Sequence, residues 1–355
     1  MTVIDVDPAR REAFAGRMLD IFDDACLAFL TSVGHQTGLF DTMAGMPAAT
    51  SEEIARSCGL TERYVREWLG GMVVGGIVEY FPETATYRLP PEHAASLTRA
   101  AGPENLAGLT QYLALMGEVE QQVVNAFRQG GGVPYSAYPR FQALQAEESG
   151  RIWDAALVRG VLPMVPGLTE RLTAGIDVLD VGTGQGHVVN VLARAFPKSR
   201  VKGVDISAQG IAAARREAEQ LGLENAEFAV VDAAEPLGSH DLITAFDVIH
   251  DLARPTRTLA AISDALREDG VFLMGEVNAS SRLEENLDHP LGPGLYTFSV
   301  FYCMTVSLGE GGEGLGTVWG RQAARAALTS VGFTDIESHS LEGDFLNVYY
   351  AARKG

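Results

Sequence analysis

Val178-Leu179-Asp180-Val181-Gly182-Thr183-Gly184-Gln185-Gly186 is the stretch that decides the fold. An apolar run ends in an acid, three glycines follow at alternate positions, and residues 186–196 continue in a helical pattern. Glycines in such a turn let the backbone approach a ligand without Cβ clashes, and the helix start presents free amide donors to it. The dinucleotide fingerprint G-x-G-x-x-G competes for this reading, but here the third glycine comes one residue early. Asp180 would also repel a pyrophosphate. It suits a ligand that carries an amino group.

Outward from this loop, strands and helices alternate. Ile176–Val181, Arg200–Val204, Ala226–Val231, Leu242–Phe246 and Val271–Met274 read as strands. Gly186–Phe196, Ala208–Gly222 and Pro255–Glu268 read as helices between them. This texture predicts a parallel sheet covered on both faces. Asp205 ends the second strand and Asp232-Ala233 ends the third. An acid at the second position can accept both hydroxyls of a ribose, and one at the third can accept from an adenine amino group. Either alone is an ordinary turn residue. Three acids at three consecutive strand ends point to a ligand crevice, because that is where such sheets bind. Arg321–Val331 reads as a helix, and Phe333–Ser338 and Leu346–Ala352 as late strands, with a loop at Glu342-Gly343-Asp344 between them.

Upstream the pattern is helical. Phe14, Met18, Ile21, Phe22, Ala25 and Phe29 recur at the helical period within a helix expected over Pro8–Ala44. Thr50 and Glu53 are spaced as a capping box, Thr61 stands as the cap of a second helix, and Ile77–Tyr80 and Thr86–Leu89 read as a hairpin. Helix, tight turn, helix and hairpin make a winged helix. Its second helix carries only Arg63 and Arg66, beside Glu62 and Glu67, so a phosphate-tracking surface is not expected. The expected domains are 1–100 (helical and winged helix, for dimerisation), 101–174 (a helical linker contributing to a pocket) and 175–355 (the ligand-binding α/β domain). In the linker, Pro134-Tyr135-Ser136-Ala137-Tyr138-Pro139-Arg140-Phe141 either lines a pocket or packs as a connector.

Composition excludes several classes. The 355 residues are 46% hydrophobic and 21% charged, enough for full cores and against global disorder. Lys plus Arg is 27 and Asp plus Glu is 46, a net charge of −19, which opposes nucleic acid and anionic membranes. No apolar run approaches a membrane span, and Met1–Arg11 has no signal-peptide pattern. Cys26, Cys58 and Cys303 form neither a disulfide framework nor a zinc knuckle, which places the chain in the cytoplasm.

Residues 175–275 resemble the class I S-adenosylmethionine-dependent methyltransferases, on the glycine loop Asp180–Gly186, the ribose acid Asp205 and the adenine acid Asp232. The resemblance implies an α/β fold: a Rossmann-like seven-stranded sheet with its last strand antiparallel, preceded by an all-helical, winged-helix N-terminal domain. It implies S-adenosyl-L-methionine as cofactor, S-adenosyl-L-homocysteine as product, and cofactor-binding roles for Asp180, Gly182, Thr183, Gly184, Gly186, Asp205, Ile206, Asp232, Ala233 and Phe246. The whole chain is similar to actinobacterial methyltransferases with a leading winged helix, and to small-molecule O-methyltransferases of plants and bacterial natural-product pathways. Those are typically dimers through the N-terminal domain, so the likeness implies a homodimer and a small-molecule acceptor.

In the plant-type enzymes a His-Asp pair follows the fourth strand, and its His takes the acceptor proton. His250-Asp251 occupies that place, although Leu252 stands where a Trp is usual. Imidazole titrates near neutral pH, as proton removal from an oxygen acceptor requires. His289, between Asp288 and Pro290 in the long insertion after the fifth strand, is a second candidate. A metal set drawn from Asp247, Glu276, Asn278 and His250 is conceivable, but the His-Asp pair points to the metal-independent branch and no metal is expected. The glycine-rich run Gly309–Gly316 has no Lys and two Glu, so it reads as a mobile loop near the pocket rather than a phosphate loop. Tyr296, Phe298, Phe301, Tyr302, Cys303 and Met304 line either a pocket or an ordinary core. Two other classes stay open at this level: a regulator that senses the cofactor, and a protein that binds it without transferring methyl.

Overall fold

The computed structural model describes residues 6–342 and 344–355. Gly343 of the expected late loop and the first five residues of the Met1–Arg11 stretch lie outside them. The chain divides into two compact units, Met1–Leu115 and Met116–Gly355. The segment expected as a separate linker, 101–174, is therefore shared between the two.

In the first unit, α1 (Pro8–Thr37) and α2 (Leu39–Ala44) replace the single expected helix. Gly38 interrupts it with φ +72°, and its N–H caps Gly34 and His35 carbonyls in the left-handed conformation that ends helices. Next come α3 (Ser51–Cys58), α4 (Glu62–Val74), β1 (Glu79–Phe81), β2 (Thr86–Arg88) and α5 (Pro91–Leu97). The capping box forms in both directions: Glu53 N–H donates to Thr50 Oγ1 and Thr50 N–H to the Glu53 carboxylate. Thr61 is the N-cap of α4 by position, yet its hydroxyl makes no capping bond. The core of this unit gathers Phe40, Ile54, Trp68, Leu69 and Met72. The arginines of α4 and the wing are spent locally: Arg63 pairs with Glu67, Arg66 with Glu62 at 3.3 Å, and Arg88 with Glu79 at 2.6 Å.

The boundary between the units falls within α6 (Gln111–Gln129). The second unit continues with α7 (Phe141–Ala156), α8 (Leu168–Ala174), β3 (Asp177–Val181), α9 (His187–Ala195), β4 (Arg200–Asp205), α10 (Ala208–Leu221), β5 (Ala226–Val230) and β6 (His240–Phe246). It ends with α11 (Pro255–Ala265), β7 (Leu266–Val277), α12 (Gly292–Phe298), α13 (Met304–Gly309), α14 (Gly320–Ser330), β8 (Phe333–His339) and β9 (Asn347–Lys354). The helix expected to reach Glu268 stops at Ala265, and β7 begins at Leu266, five residues before the expected start of its strand.

The seven strands of this unit order as β5-β4-β3-β6-β7-β9-β8 among the described residues. All pairings are parallel except those of β9, which runs antiparallel between β7 and β8. Chain order reverses between β3 and β6, and the crevice at such a switch point opens at the strands' carboxyl ends. Alternation along the strands divides the core in two. Val178, Leu242, Leu273 and Tyr349 pack toward α8, α9 and α10, with Leu172, Leu192 and Ile211. Leu179, Ile243, Phe272 and Tyr350 pack toward α11 and α14, with Ile262, Trp319 and Leu328.

Candidate active site

The glycine loop leaves β3 at the switch point. Gly182, Gly184 and Gly186 all take positive φ, at +69°, +55° and +81°. A Cβ on Gly182 would lie 2.5 Å from Val248, so this glycine is needed for close packing. A Cβ on Gly184 would meet nothing within 4 Å. That open space above the turn leaves the backbone accessible as a cradle for a ligand. Asp205 braces it from the neighbouring strand, accepting from Gly184 N–H at 2.9 Å and Ser207 N–H at 2.7 Å. Asp180 is buried, accepts from Thr244 Oγ1 at 2.6 Å, and is pushed up to about 6 by burial against that hydroxyl's help. Burial likewise raises Asp205, against the amides that bond it. These carboxylate acceptors fit a ligand with an amino group and vicinal hydroxyls.

Asp232 lies after β5, with Ala233 buried beside it. One of its oxygens accepts from Ala234 N–H at 2.9 Å and the other is ion-paired with Arg254. Any amino group binding there shares the carboxylate with a guanidinium, which spacing along the chain did not reveal. Ile206 is 57% exposed and so leaves an apolar face free at the end of β4. Phe246 ends β6, and its ring lies 4.5 Å from that of Trp153. Thr183 stands in the loop, and its hydroxyl helps to hold the Asp180 carboxylate.

His250 follows β6 in the turn that faces this crevice's strand ends. It is 4% exposed, and its Nδ1 donates to Glu276 Oε2 at 2.7 Å. Glu276 is 1% exposed and is held on both oxygens: Ile249 N–H donates to Oε1 at 3.1 Å, and Trp319 Nε1–H to Oε2 at 3.1 Å. Burial disfavours the imidazolium, but the Glu276 carboxylate, together with Cys303 hydrogen-bonded to the ring, outweighs it. The His250 pKa therefore stands well above the ordinary histidine range. Strand register explains the pairing. Phe246 is opposite Gly275, so the next residue on β7, Glu276, lies beside the turn that leaves β6.

Asp251 is not the partner of His250. It hydrogen-bonds Tyr135, and burial pushes it up to about 7. Asp247 takes φ +55°, keeps a buried oxygen without a partner, and is likewise raised to about 7, chiefly by burial. A non-glycine residue in that conformation is uncommon, and such strain clusters at functional sites.

The aromatic segment of residues 134–141 closes over the same region. Val133 N–H donates to Thr305 O at 3.0 Å, Tyr138 Oη donates to Phe301 O at 2.5 Å, and Phe141 stacks on Tyr302 with ring centroids 3.4 Å apart. It thus packs as a connector against the insertion. Of the insertion residues, Tyr302 and Cys303 are buried there, while Tyr296 is exposed.

The glycine-rich run is hydrogen-bonded to its surroundings: Gly314 N–H donates to Ser307 Oγ at 3.0 Å, Glu313 N–H to Ala253 O at 3.1 Å, and Gly316 N–H to His250 O at 3.0 Å. His289, the second candidate, lies in the insertion. Its Nδ1 accepts from Leu291 N–H at 3.1 Å within a turn closed by Asn286 and Gly292, and among the described residues it has no carboxylate partner. The conceivable metal set does not assemble, since Glu276 is committed to three donors. Among the described residues no group of three or more His, Cys, Asp or Glu is arranged to hold a metal ion.

Comparison with known proteins matches residues 25–99 to the Rv2258c-like winged HTH domain and residues 172–291 to a methyltransferase domain. The chain carries a class I methyltransferase domain and, ahead of it, a winged helix. Over 100 residues it is 35% identical to nocamycin O-methyltransferase of Saccharothrix syringae, covering 26% of this chain and 36% of that protein. It is 30% identical over 116 residues to the ubiquinone biosynthesis O-methyltransferase of Ruegeria pomeroyi, covering 32% and 46%. The chain matches about a quarter to a half of the length of the first curated relatives. Human N-acetylserotonin methyltransferase, in complex with SAM, superposes over 100% of both chains with a TM-score of 0.71 at 19% identity. The mitomycin 7-O-methyltransferase MmcR gives a TM-score of 0.72 at 18% identity, over 98% of this chain and 100% of that one. At such identities these superpositions establish the fold of the chain and nothing of its substrate.

Sequence reasoning missed Glu276 as the partner of His250, and with it Trp319, Cys303 and the Tyr135–Asp251 bond. Glu276 did carry a signal, as an acid at the end of an otherwise apolar strand. Cys303, Tyr135 and Asp251 were marked as candidates but not as these partners, and nothing local marked Trp319.

Proposed function

We propose that the chain is an S-adenosylmethionine-dependent methyltransferase acting on a small molecule through a hydroxyl oxygen. The observation that carries this reading is the buried His250–Glu276 pair at the switch-point crevice that also holds the glycine cradle. S-adenosyl-L-methionine, when bound, supplies an activated methyl group and leaves as S-adenosyl-L-homocysteine. Asp205 would hold the ribose hydroxyls, Asp180 the amino-acid end and Asp232 the adenine edge, with Gly182 and Gly184 giving backbone access. Thr183, Gly186, Ile206, Ala233 and Phe246 would complete the walls. His250, in its neutral form, accepts the acceptor's proton while Glu276 fixes the ring and stabilises the resulting imidazolium. The burial of this corner keeps water from the reaction, and alignment does much of the rest.

The same reading takes the acceptor as small and apolar or aromatic, from the walls Tyr135, Tyr138, Phe141 and Tyr302. It places the enzyme in the cytoplasm as a homodimer through α1, whose Phe14 and Phe22 are 65% and 69% exposed. The test is His250→Ala on acceptors of graded acidity at fixed pH. Turnover on the least acidic hydroxyl should fall by about 10²–10⁴-fold, with cofactor affinity nearly unchanged and acidic phenols losing much less. Full rate on the least acidic hydroxyl would remove His250 from the chemistry.

A further inference from the structure

Glu276 Oε2 accepts two hydrogen bonds at once, from His250 Nδ1 at 2.7 Å and from Trp319 Nε1 at 3.1 Å. A carboxylate has about four acceptor positions. Ile249 N–H takes a third at 3.1 Å. Every donor added to a carboxylate stabilises its charge and lessens what it gives the remaining partner. The indole therefore competes with the imidazolium for the same oxygen.

Trp319 is built into this place. It is buried among Ile243, Phe272, Met274 and Leu328, where an unpaired indole N–H would be costly. Its carbonyl accepts from Ser281 Oγ at 2.6 Å and its N–H donates to Gly316 O at 3.1 Å. Gly316 in turn donates to the His250 carbonyl at 3.0 Å. One short segment thus grips the histidine twice, by its backbone directly and by its ring through Glu276.

We propose that Trp319 is a positioning residue that sets the basicity of His250 by sharing the Glu276 carboxylate with it. The inference rests on His250 being the base, as read above. The other titratable groups facing the histidine are Asp247, Asp251 and Cys303, and Tyr350 faces Glu276. None of these shares an oxygen of Glu276 with it in the structure. Without the indole donor, Glu276 holds the imidazolium more strongly, so the histidine releases its proton at higher pH. With the donor, more of the enzyme has a neutral His250 at a given pH.

The experiment titrates the His250 ring by NMR in the full-length protein without acceptor, alongside the pH–rate profile. Trp319→Phe should move the ring titration upward by about half to one pH unit, and the acid limb of kcat/KM by the same amount. Affinity for S-adenosyl-L-homocysteine should not change. Because a smaller ring in a core can unfold the protein, 3-benzothienylalanine at position 319 serves as the second variant. It keeps the indole shape without the N–H, and the same upward shift is expected. Glu276→Gln is the reference and should move the titration downward. A ring titration unchanged in the benzothienyl variant, while Glu276→Gln shifts it, overturns the proposal and leaves His250 as base. A shifted titration with full turnover in His250→Ala instead removes the functional reading and leaves the coupling intact.

Discussion

Replacing Asp205 by Asn changes one atom type in the cradle and separates its two duties. The carboxylate accepts from Gly184 N–H at 2.9 Å through one oxygen and from Ser207 N–H at 2.7 Å through the other. An amide has one oxygen, so one of these N–H groups must face an NH2 group instead. In a desolvated place, losing a charge-assisted bond contributes roughly 1.5–3 kcal/mol, and the orphaned donor costs about 1–3 kcal/mol. The second cost falls on the free protein as well as the complex, because it arises within the fold. The first falls on the complex when the ribose hydroxyls lose a charged acceptor. Affinity for S-adenosyl-L-homocysteine should therefore drop by about 10–100-fold, since ~1.4 kcal/mol is tenfold. The melting temperature should fall by several degrees. Isothermal calorimetry measures the first effect and a thermal scan without ligand the second. Asp205→Ala should lose at least as much affinity. Wild-type affinity in both variants would refute the assignment of Asp205 to the ribose. A drop in stability with unchanged affinity would leave it only as a brace for the glycine loop.

Burial holds Asp180 at about 6 and Asp247 and Asp251 at about 7, above their unfolded value near 3.9. The folded protein therefore binds more protons than the unfolded one between pH 4 and 7. Each of these groups lowers stability as pH rises through that window, by at most about 1.4 kcal/mol per pH unit. Asp251→Asn should thus raise the melting temperature at pH 8 more than at pH 5, and an equal gain at both would argue against an ionised, desolvated Asp251. For assembly, the unmodified protein should be a dimer at micromolar concentration by light scattering, and Phe22→Asp a monomer. A clean monomer of the unmodified chain would sink α1 as the interface. Specific duplex DNA binding at physiological salt should be absent, because Arg63, Arg66 and Arg88 are already paired with glutamates. A salt-sensitive, sequence-selective gel shift would show otherwise.

The order of strands and helices, the glycine loop and the three strand-end acids were all legible from residue order, because each depends on neighbours. Glycine at 182, 184 and 186 answers a local backbone need. The alternation that sends Val178 to one core and Leu179 to the other is a property of any strand. The capping box at Thr50 and Glu53 spans three residues and formed as its spacing requires. Boundaries were less legible. The break at Gly38 is a local left-handed glycine cap that the periodicity of the first helix does not show, and the early start of β7 comes from its pairing with β6.

What only the tertiary structure decided lies in partners far apart along the chain. His250 meets Glu276 because β6 and β7 pair in a register that sets Phe246 against Gly275. Trp319 reaches the same carboxylate from a loop after the insertion, and Arg254 from the loop after β6 pairs with Asp232. Local propensity fixes which face of an element is apolar, but it does not fix which of several acids a buried imidazole will face. That choice belongs to strand register and to the packing of the loops upon the strand ends. The basicity of His250, and with it its reading as a base, is therefore a property of the fold rather than of the His-Asp pair visible in the sequence.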